Sequence, residues 1–226
     1  MSPFAAFLAV VFALVFYTVW RRARVARRAE FIRSYTLPQG LFERLKKRRP
    51  ELTLKDCQLV SQALRQFFLA YLKGGRRFVA MPSQLADDLW HEFILYTKNY
   101  DAFCRQAFGR FLHHTPAVVL GSARQSNEGL RRCWWYACRE ENIDPAQPTR
   151  LPLLFALDAK FKIADGFFYV PDCGTVKNRD TGGAVYCGGD FASSSFDGGT
   201  DGFGDAGGGG DGSAGGGCGG GCGGGD

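Results

Sequence analysis

The first twenty residues of the chain contain no charged side chain, and residues 2–20 are apolar except for Ser2, Pro3 and Thr18. The absence of a cation before this run, and of a small-residue cleavage site after it, disfavours a signal peptide. The absence of a polar face disfavours a buried core helix. A helix of this length extends about 28 Å, close to the thickness of the hydrocarbon layer of a bilayer. Residues 1–20 are therefore predicted to be a transmembrane anchor.

The sequence also lacks the short motifs that commonly indicate catalysis. No phosphate-binding glycine loop, no G-x-S-x-G motif and no pair of carboxylates at a catalytic spacing stands out. We therefore predict no catalytic residue and no cofactor-binding residue from the sequence. An enzyme would need a pocket that joins His91 to residues distant in the chain.

Glycine is scarce over most of the chain and abundant at its end. Of the 30 glycines, seven precede residue 174 and 23 lie within residues 174–226. A segment of Gly, Ser and Asp with isolated aromatic residues buries too little apolar surface to offset the entropy of the chain. Residues 174–226 are therefore predicted to be a disordered tail rich in Gly and Cys.

Positive charge follows the apolar run immediately. Residues 21–49 contain eleven Lys and Arg but only two Glu, and cations beside a membrane span remain on the cytoplasmic side. We expect the N-terminus outside and the rest of the chain in the cytoplasm, at a bacterial inner membrane. The residues expected at the membrane interface are Tyr17, Trp20, Arg21, Arg22 and Arg24. Nucleic acid is an alternative, less expected partner of this basic juxtamembrane segment.

The middle of the chain has the periodicity of helices, and paired alternating runs that would indicate a hairpin are missing, apart from a weak FFYV run near residue 168. A short helix follows Pro38, and four more are predicted to begin near Thr53, Ser83, Ser122 and Pro152. Thr53 and Asp56 resemble a capping box, and the helix from Ser83 is expected to continue unbroken to Gly109. The fold class is predicted to be all-α, with a helical domain of about four to six helices over residues 50–173.

The eight cysteines are too dispersed for a dense disulfide framework, and the cytoplasm keeps thiols reduced. Cys133 and Cys138 would both lie on the apolar stripe of one helix, so they are predicted to be core thiols. Four cysteines in a flexible chain could instead enclose a zinc ion and order part of the tail. These candidate ligands are Cys173, Cys187, Cys218 and Cys222.

Among the histidines, His91 is the strongest candidate for a chemical role. Asp87 and Asp88 precede it by four and three residues, on adjoining turns of one helix face. A carboxylate there would orient the imidazole for a metal ion, so His91 and Asp88 are candidate zinc ligands. A structural hydrogen bond in the core is the alternative, and the expected one. On a straight helix Cys104 would lie about 20 Å away and could not share the ion, and His113 and His114 are expected to interact with a helix C-terminus.

The segment DDLWHEFILYTKNYDAFC, residues 87–104, resembles the glycine-rich domain-containing protein family. The matching residues are Asp87 or Asp88, Trp90, His91, Tyr100 and Cys104. Residues 151–174 are similar to a segment of membrane-anchored bacterial members with a Gly/Cys-rich tail. The resemblance implies a helical domain and brings no established activity, so it supports the domain division more than a function.

Together these features predict a single-pass membrane protein without a cofactor. Its cytoplasmic helical domain and flexible arm would form an interaction or scaffold module, with the lipid bilayer and other membrane or cytoplasmic proteins as partners. One alternative is a zinc-binding cytoplasmic domain, including a metal-dependent enzyme. A second alternative is the binding of nucleic acid or anionic lipid through residues 21–49.

Overall fold

The computed structural model describes residues 3–114, 123–171, 186–187 and 191. In these ranges the chain forms seven helices and one pair of short strands. The helices are α1 (Pro3–Ser34), α2 (Leu41–Arg48), α3 (Leu54–Lys73), α4 (Gln84–Leu95), α5 (Thr97–Phe108), α6 (Ala123–Glu140) and α7 (Leu153–Phe161). The predicted helical class is confirmed, and six helices follow the N-terminal one. The predicted tail beyond residue 191 lies outside the described residues.

The first helix, α1, is much longer than the apolar run that begins it. Its N-terminal part is exposed along its whole surface and is long and apolar enough to cross a membrane by length and composition. Without a break, the same helix then enters the domain, where Ala29 and Ile32 are buried. The part of the chain predicted as a basic juxtamembrane segment therefore also supplies core residues.

Helix α3 is the centre of the domain and packs against α1, α2, α4, α6 and α7. The predicted capping box begins it: the Thr53 hydroxyl accepts the Asp56 backbone N–H at 3.3 Å, and the Asp56 carboxylate accepts the Thr53 N–H at 2.8 Å. Buried residues occupy most sides of α3, as expected for a helix enclosed by neighbours. Gly74 ends it.

The single helix predicted from Ser83 to Gly109 is instead two helices. Tyr96, between α4 and α5, has φ −81° and ψ 60°, outside the helical region. Its hydroxyl donates to the Gln39 carbonyl oxygen at 3.2 Å. Gly40 has φ 81°, and a Cβ there would lie 3.1 Å from that hydroxyl. The expectation of a straight helix was wrong because a tertiary contact breaks it without Pro or Gly.

Aromatic rings fill the space between α3, α4 and α5. The Trp90 ring lies 4.9 Å from Phe67, measured between centroids, and Phe68 lies 5.0 Å from Phe103. Two buried polar side chains of this core, Trp90 and Tyr100, are paired. The Trp90 indole N–H donates to the Tyr100 hydroxyl at 3.1 Å, and that hydroxyl donates to the Leu112 carbonyl at 2.6 Å.

The packed unit extends beyond the predicted residues 50–173 at both ends. Leu41 and Leu45 of α2 are fully buried, as is Ile32. At the other end, strand β1 (Tyr169–Val170) pairs in parallel with strand β2 (Tyr186–Cys187). Phe191 is buried against the ring of Trp134, at 5.5 Å between centroids. Strand β2 and Phe191 thus have ordered positions within the stretch predicted to be disordered.

Candidate metal centre

Helix α4 carries the candidate site, and its first turn is fixed by a carboxylate from α7. The Ser83 hydroxyl caps the helix by accepting the Ala86 N–H at 3.1 Å. Buried Asp158 then accepts the Ser83 hydroxyl at 2.6 Å, the Gln84 N–H at 2.7 Å and the Leu85 N–H at 3.2 Å. The direction of α4 is therefore set by a residue far along the chain.

Three side chains with metal-binding atoms meet on the exposed side of α4. An Asp87 oxygen, Oδ1, lies 2.9 Å from Nε2 of His114, and the other, Oδ2, lies 3.3 Å from Nδ1 of His91. One ligand atom from each residue lies within 4.8 Å of the other two. The two imidazole rings are 4.2 Å apart between centroids. The cluster therefore combines two imidazoles and one carboxylate.

The return of the chain after α5 brings His114 to this cluster. Gly109 ends α5 with φ 76°, a backbone conformation that favours glycine. The Leu112 carbonyl is then held by the Tyr100 hydroxyl, and the His114 ring contacts Trp90 at 4.5 Å between centroids. The expectation that His114 interacts with a helix C-terminus was wrong, because its ring nitrogen pairs with Asp87 instead.

Exposure differs among the three side chains. The exposed fractions are 41% for His91, 19% for Asp87 and 13% for His114. Despite this exposure, the His91 Nδ1 atom itself is buried and makes no hydrogen bond with any described residue. Its ion-pair contact is the Asp87 carboxylate, at 3.3 Å, so the atom faces the group with which it would share an ion.

The spacing of the three groups fits a divalent transition metal. Zinc binds imidazole nitrogen and carboxylate oxygen at about 2.0–2.2 Å, which places tetrahedral ligand atoms about 3.3 Å apart. The two distances from Asp87, 2.9 and 3.3 Å, are close to this value but join different oxygens of the carboxylate. A closing movement of at most about 1.5 Å would complete the set. Three protein ligands leave a fourth position open.

The comparison with known families agrees with the extent of the packed unit. A family model described as UCP032817-like matches residues 27–191, well over half of the chain. The chain belongs to the UCP032817-like family. The match begins two residues before Ala29, the first buried residue, and ends at buried Phe191. The UCP032817-like unit is therefore the packed helical domain, including the second part of α1. No curated protein and no solved structure matches the chain.

The resemblance to the glycine-rich domain-containing proteins is wrong, because the UCP032817-like match covers the residues that suggested it. Trp90 and Tyr100 are joined in the buried hydrogen-bond chain of the core. Cys104 is buried, and its burial raises the pKa of the thiol. His91 belongs to the exposed cluster. The UCP032817-like description names no activity, so a function has to be argued from the geometry.

Asp88, the predicted partner of His91, points away from it in the UCP032817-like domain. Its carboxylate is fully buried and lies 2.8 Å from Nε of Arg49 and 3.1 Å from Nε of Arg48. Arg49 also makes a hydrogen bond with Asp165, which raises the pKa of the guanidinium despite the opposing effect of burial. Asp88 therefore joins α4 to the end of α2, and Asp87 takes the place beside His91.

The described cysteines are structural. Those at positions 57, 104, 133 and 138 are buried free thiols. Burial raises the pKa of Cys133 and Cys138 well above the usual range, so both remain protonated at neutral pH. This fits the predicted core role of the pair. Of the candidate tail ligands, the side chain of Cys187 and all of Cys173, Cys218 and Cys222 lie outside the described residues, so zinc binding by these thiols stays a prediction.

The predicted interface residues lie on the exposed part of α1. The Tyr17 and Trp20 rings are 6.5 Å apart between centroids, and the Arg24 guanidinium lies 5.4 Å from the centre of the Trp20 ring. Arg21 and Arg22 are exposed. Their role at a membrane surface stays a prediction.

Proposed function

We propose that the protein is a membrane-anchored domain that binds one divalent transition metal ion through Asp87, His91 and His114. The observation that supports this most is the convergence of the three ligand atoms within 4.8 Å, although Asp87 and His114 are 27 residues apart in the chain. The His91 Nδ1 atom adds to it, because it is buried 3.3 Å from the Asp87 carboxylate and makes no hydrogen bond with any described residue. Zinc is the expected ion, and the same ligand types also suit ferrous iron.

The surroundings of the cluster favour the binding of an ion. Asp87 lies in the first turn of α4, where the helix dipole favours a negative charge. The Trp90 ring contacts His114, and the side chain of His91 is exposed to solvent. A bound ion would present its open position there to water or to a ligand atom of a partner.

The membrane topology is part of the same proposal. The exposed apolar part of α1 would cross a bacterial inner membrane, with the N-terminus outside and the domain in the cytoplasm. The run of arginines after Trp20 supports this orientation. Protease added to intact cells should leave the domain uncut, and cleavage within residues 27–191 would contradict the orientation.

Metal analysis of the full chain, purified in mild detergent under reducing conditions without chelator, tests the metal site. We expect about one zinc or iron ion per chain, as in other three-ligand sites. The variants D87A, H91A and H114A should each lose most of it. H113A is the matched control, because the His113 ring contacts Phe111 and is not part of the cluster.

Two results would contradict the metal site. The first is the absence of bound metal after dialysis of the folded wild-type chain against zinc. The second is full metal content in all three variants together with its loss in a C218S/C222S variant, which would assign the ion to the tail thiols. Without any metal, the interaction or scaffold module expected from the sequence is the function that remains.

A further inference from the structure

Four arginines from three separate segments gather at the edge of the domain beside α1. Arg28 of α1 and Arg76 of the α3–α4 loop each donate to the Phe108 carbonyl, at 2.8 and 3.0 Å. Arg110, after α5, donates to the Arg76 carbonyl and also to the Tyr71 hydroxyl, the latter at 3.0 Å. Arg24 completes the group, since it and Arg76 both act to lower the pKa of Arg28, although burial has the larger effect. We call these four residues the arginine edge.

The charge of the arginine edge is not neutralised within the described part of the protein. None of the four guanidinium groups lies within ion-pair distance of a carboxylate of the described residues. The Phe108 carbonyl at the end of α5 offers only the partial negative charge of a helix C-terminus. Each guanidinium has five N–H donors, so most donors of Arg28 and Arg76 have no acceptor among the described residues.

Glycine at position 109 permits this arrangement. A Cβ there would lie 2.6 Å from a terminal nitrogen of Arg28. The guanidinium therefore lies directly over the backbone that ends α5, next to Arg76 and Arg110. Sequence reasoning placed the basic residues in one linear segment, whereas the fold adds two loop residues to the same edge.

The unbroken helix α1 sets the height of the arginine edge above the membrane. With Trp20 at the interface, Arg24 lies about 6 Å and Arg28 about 12 Å further along the axis. The headgroup layer is about 5–8 Å thick on each side of a bilayer, and the Debye length in cells is about 8 Å. Arg24 and Arg28 therefore lie within or just above the headgroups, and Arg76 is beside them because it shares the Phe108 carbonyl with Arg28. Because Ala29 and Ile32 are buried in the domain, the domain moves with α1, and it can leave this height only through a change in the tilt of that helix.

We infer that the arginine edge binds the headgroups of anionic phospholipids and holds the domain down on the membrane that α1 crosses. The inference rests on the proposed membrane anchor and is independent of the metal ion. Phosphate oxygens are good acceptors for guanidinium groups, and the cytoplasmic leaflet carries a negative surface potential. The expected gain in the ratio of docked to free domain is about fivefold per cation near the surface.

Hydrogen exchange on the full chain in lipid nanodiscs tests the inference. One set of discs contains only phosphatidylcholine, and the other also contains phosphatidylglycerol. We expect the backbone amides of residues 75–79 to exchange more slowly in the anionic discs. High salt should remove the difference, because the Debye length falls to about 3 Å at 1 M.

Charge variants identify the residues responsible. R76Q/R110Q should reduce the protection about 25-fold, while K160Q/K162Q, which removes two exposed cations of α7 and its C-cap, should retain it. Unchanged exchange in α3 would show that each variant is folded. Equal protection in both kinds of disc, or in R76Q/R110Q and wild type, would overturn the inference.

Two further outcomes separate this inference from its foundations. If the chain does not enter the discs at all, the proposed membrane anchor is wrong, and the proposed binding of lipid by the arginine edge is wrong with it. If duplex DNA protects residues 75–79 in neutral discs as strongly as anionic lipid does in the other set, the partner is nucleic acid and the lipid assignment is overturned.

Discussion

Removal of the Asp158 side chain should lower the free energy of unfolding of the domain by a large amount, although the side chain is small. Its buried carboxylate accepts four hydrogen bonds: from the Ser83 hydroxyl, from the backbone N–H groups of Gln84 and Leu85, and from the Phe167 N–H at 2.9 Å. Three of these donors belong to the start of α4. The change Asp158→Ala leaves all four donors without this acceptor and leaves a small cavity between α4 and α7.

The expected loss follows from the value of such bonds. A hydrogen bond to a charged group contributes about 1.5–3 kcal/mol, and a buried donor left unpaired costs about 1–3 kcal/mol. Ser83 can rotate and water can reach part of the site, so we expect a net loss of about 4 kcal/mol in the free energy of unfolding. That is a large part of the 5–15 kcal/mol typical of a domain. Asp158→Asn should lose about 3 kcal/mol, because its amide group would face backbone donors.

Chemical unfolding of the full chain in mild detergent, followed by circular dichroism, measures this loss. Asp144→Ala is the control, because exposed Asp144 accepts one local hydrogen bond from the Ala146 N–H. It should change the free energy of unfolding by less than about 1 kcal/mol. If Asp158→Ala also remains within about 1 kcal/mol of wild type, the carboxylate does not hold the start of α4 and the reasoning is refuted.

Two further predictions concern single residues. Gly129→Ala in α6 should destabilise the domain by about 1–3 kcal/mol, because the new Cβ would lie 2.6 Å from the Ala80 nitrogen and closer still to the Phe78 ring. The stabilisation usual for this change in a helix would contradict the packing. Burial acts to raise the pKa of Glu140, but hydrogen bonds from Arg33 and Lys73 outweigh it and lower the pKa. The carboxylate therefore stabilises the fold above its ordinary pKa and less as pH falls through the lowered one. The stability difference between wild type and Glu140→Gln, measured by thermal unfolding, should shrink as pH falls below about 4.3, and a difference independent of pH would count against these hydrogen bonds.

Local signals in the sequence predicted the separate helices well. The capping box at Thr53 and Asp56, and Pro152 ahead of α7, act through neighbouring residues, so they can be recognised without the fold. The break at Tyr96 has no such signal. It depends on a hydrogen bond to Gln39, a residue from another helix connection. Tertiary contacts of this kind override the helical periodicity on both sides.

The candidate site illustrates the same limit. The sequence identified His91 and the two acidic residues before it, but the choice between them depends on Arg49, which binds Asp88 from α2. His114 reaches Asp87 only because α5 and the segment after it return across α4. The burial of Phe191 was not predicted, because the glycine-rich composition around it indicates disorder. The structure shows that this aromatic side chain packs in the core.

The continuity of α1 also determines where the domain can fold. Ala29 and Ile32 leave the ribosome before α3 and α5, which later enclose them. If the apolar half of α1 inserts into the bilayer during synthesis, the remaining helices must assemble around the second half of α1, which is already fixed at the membrane surface. A soluble fragment that begins after Ser34 would lack this part of the core. A fragment intended to retain the complete core has to keep the second half of α1.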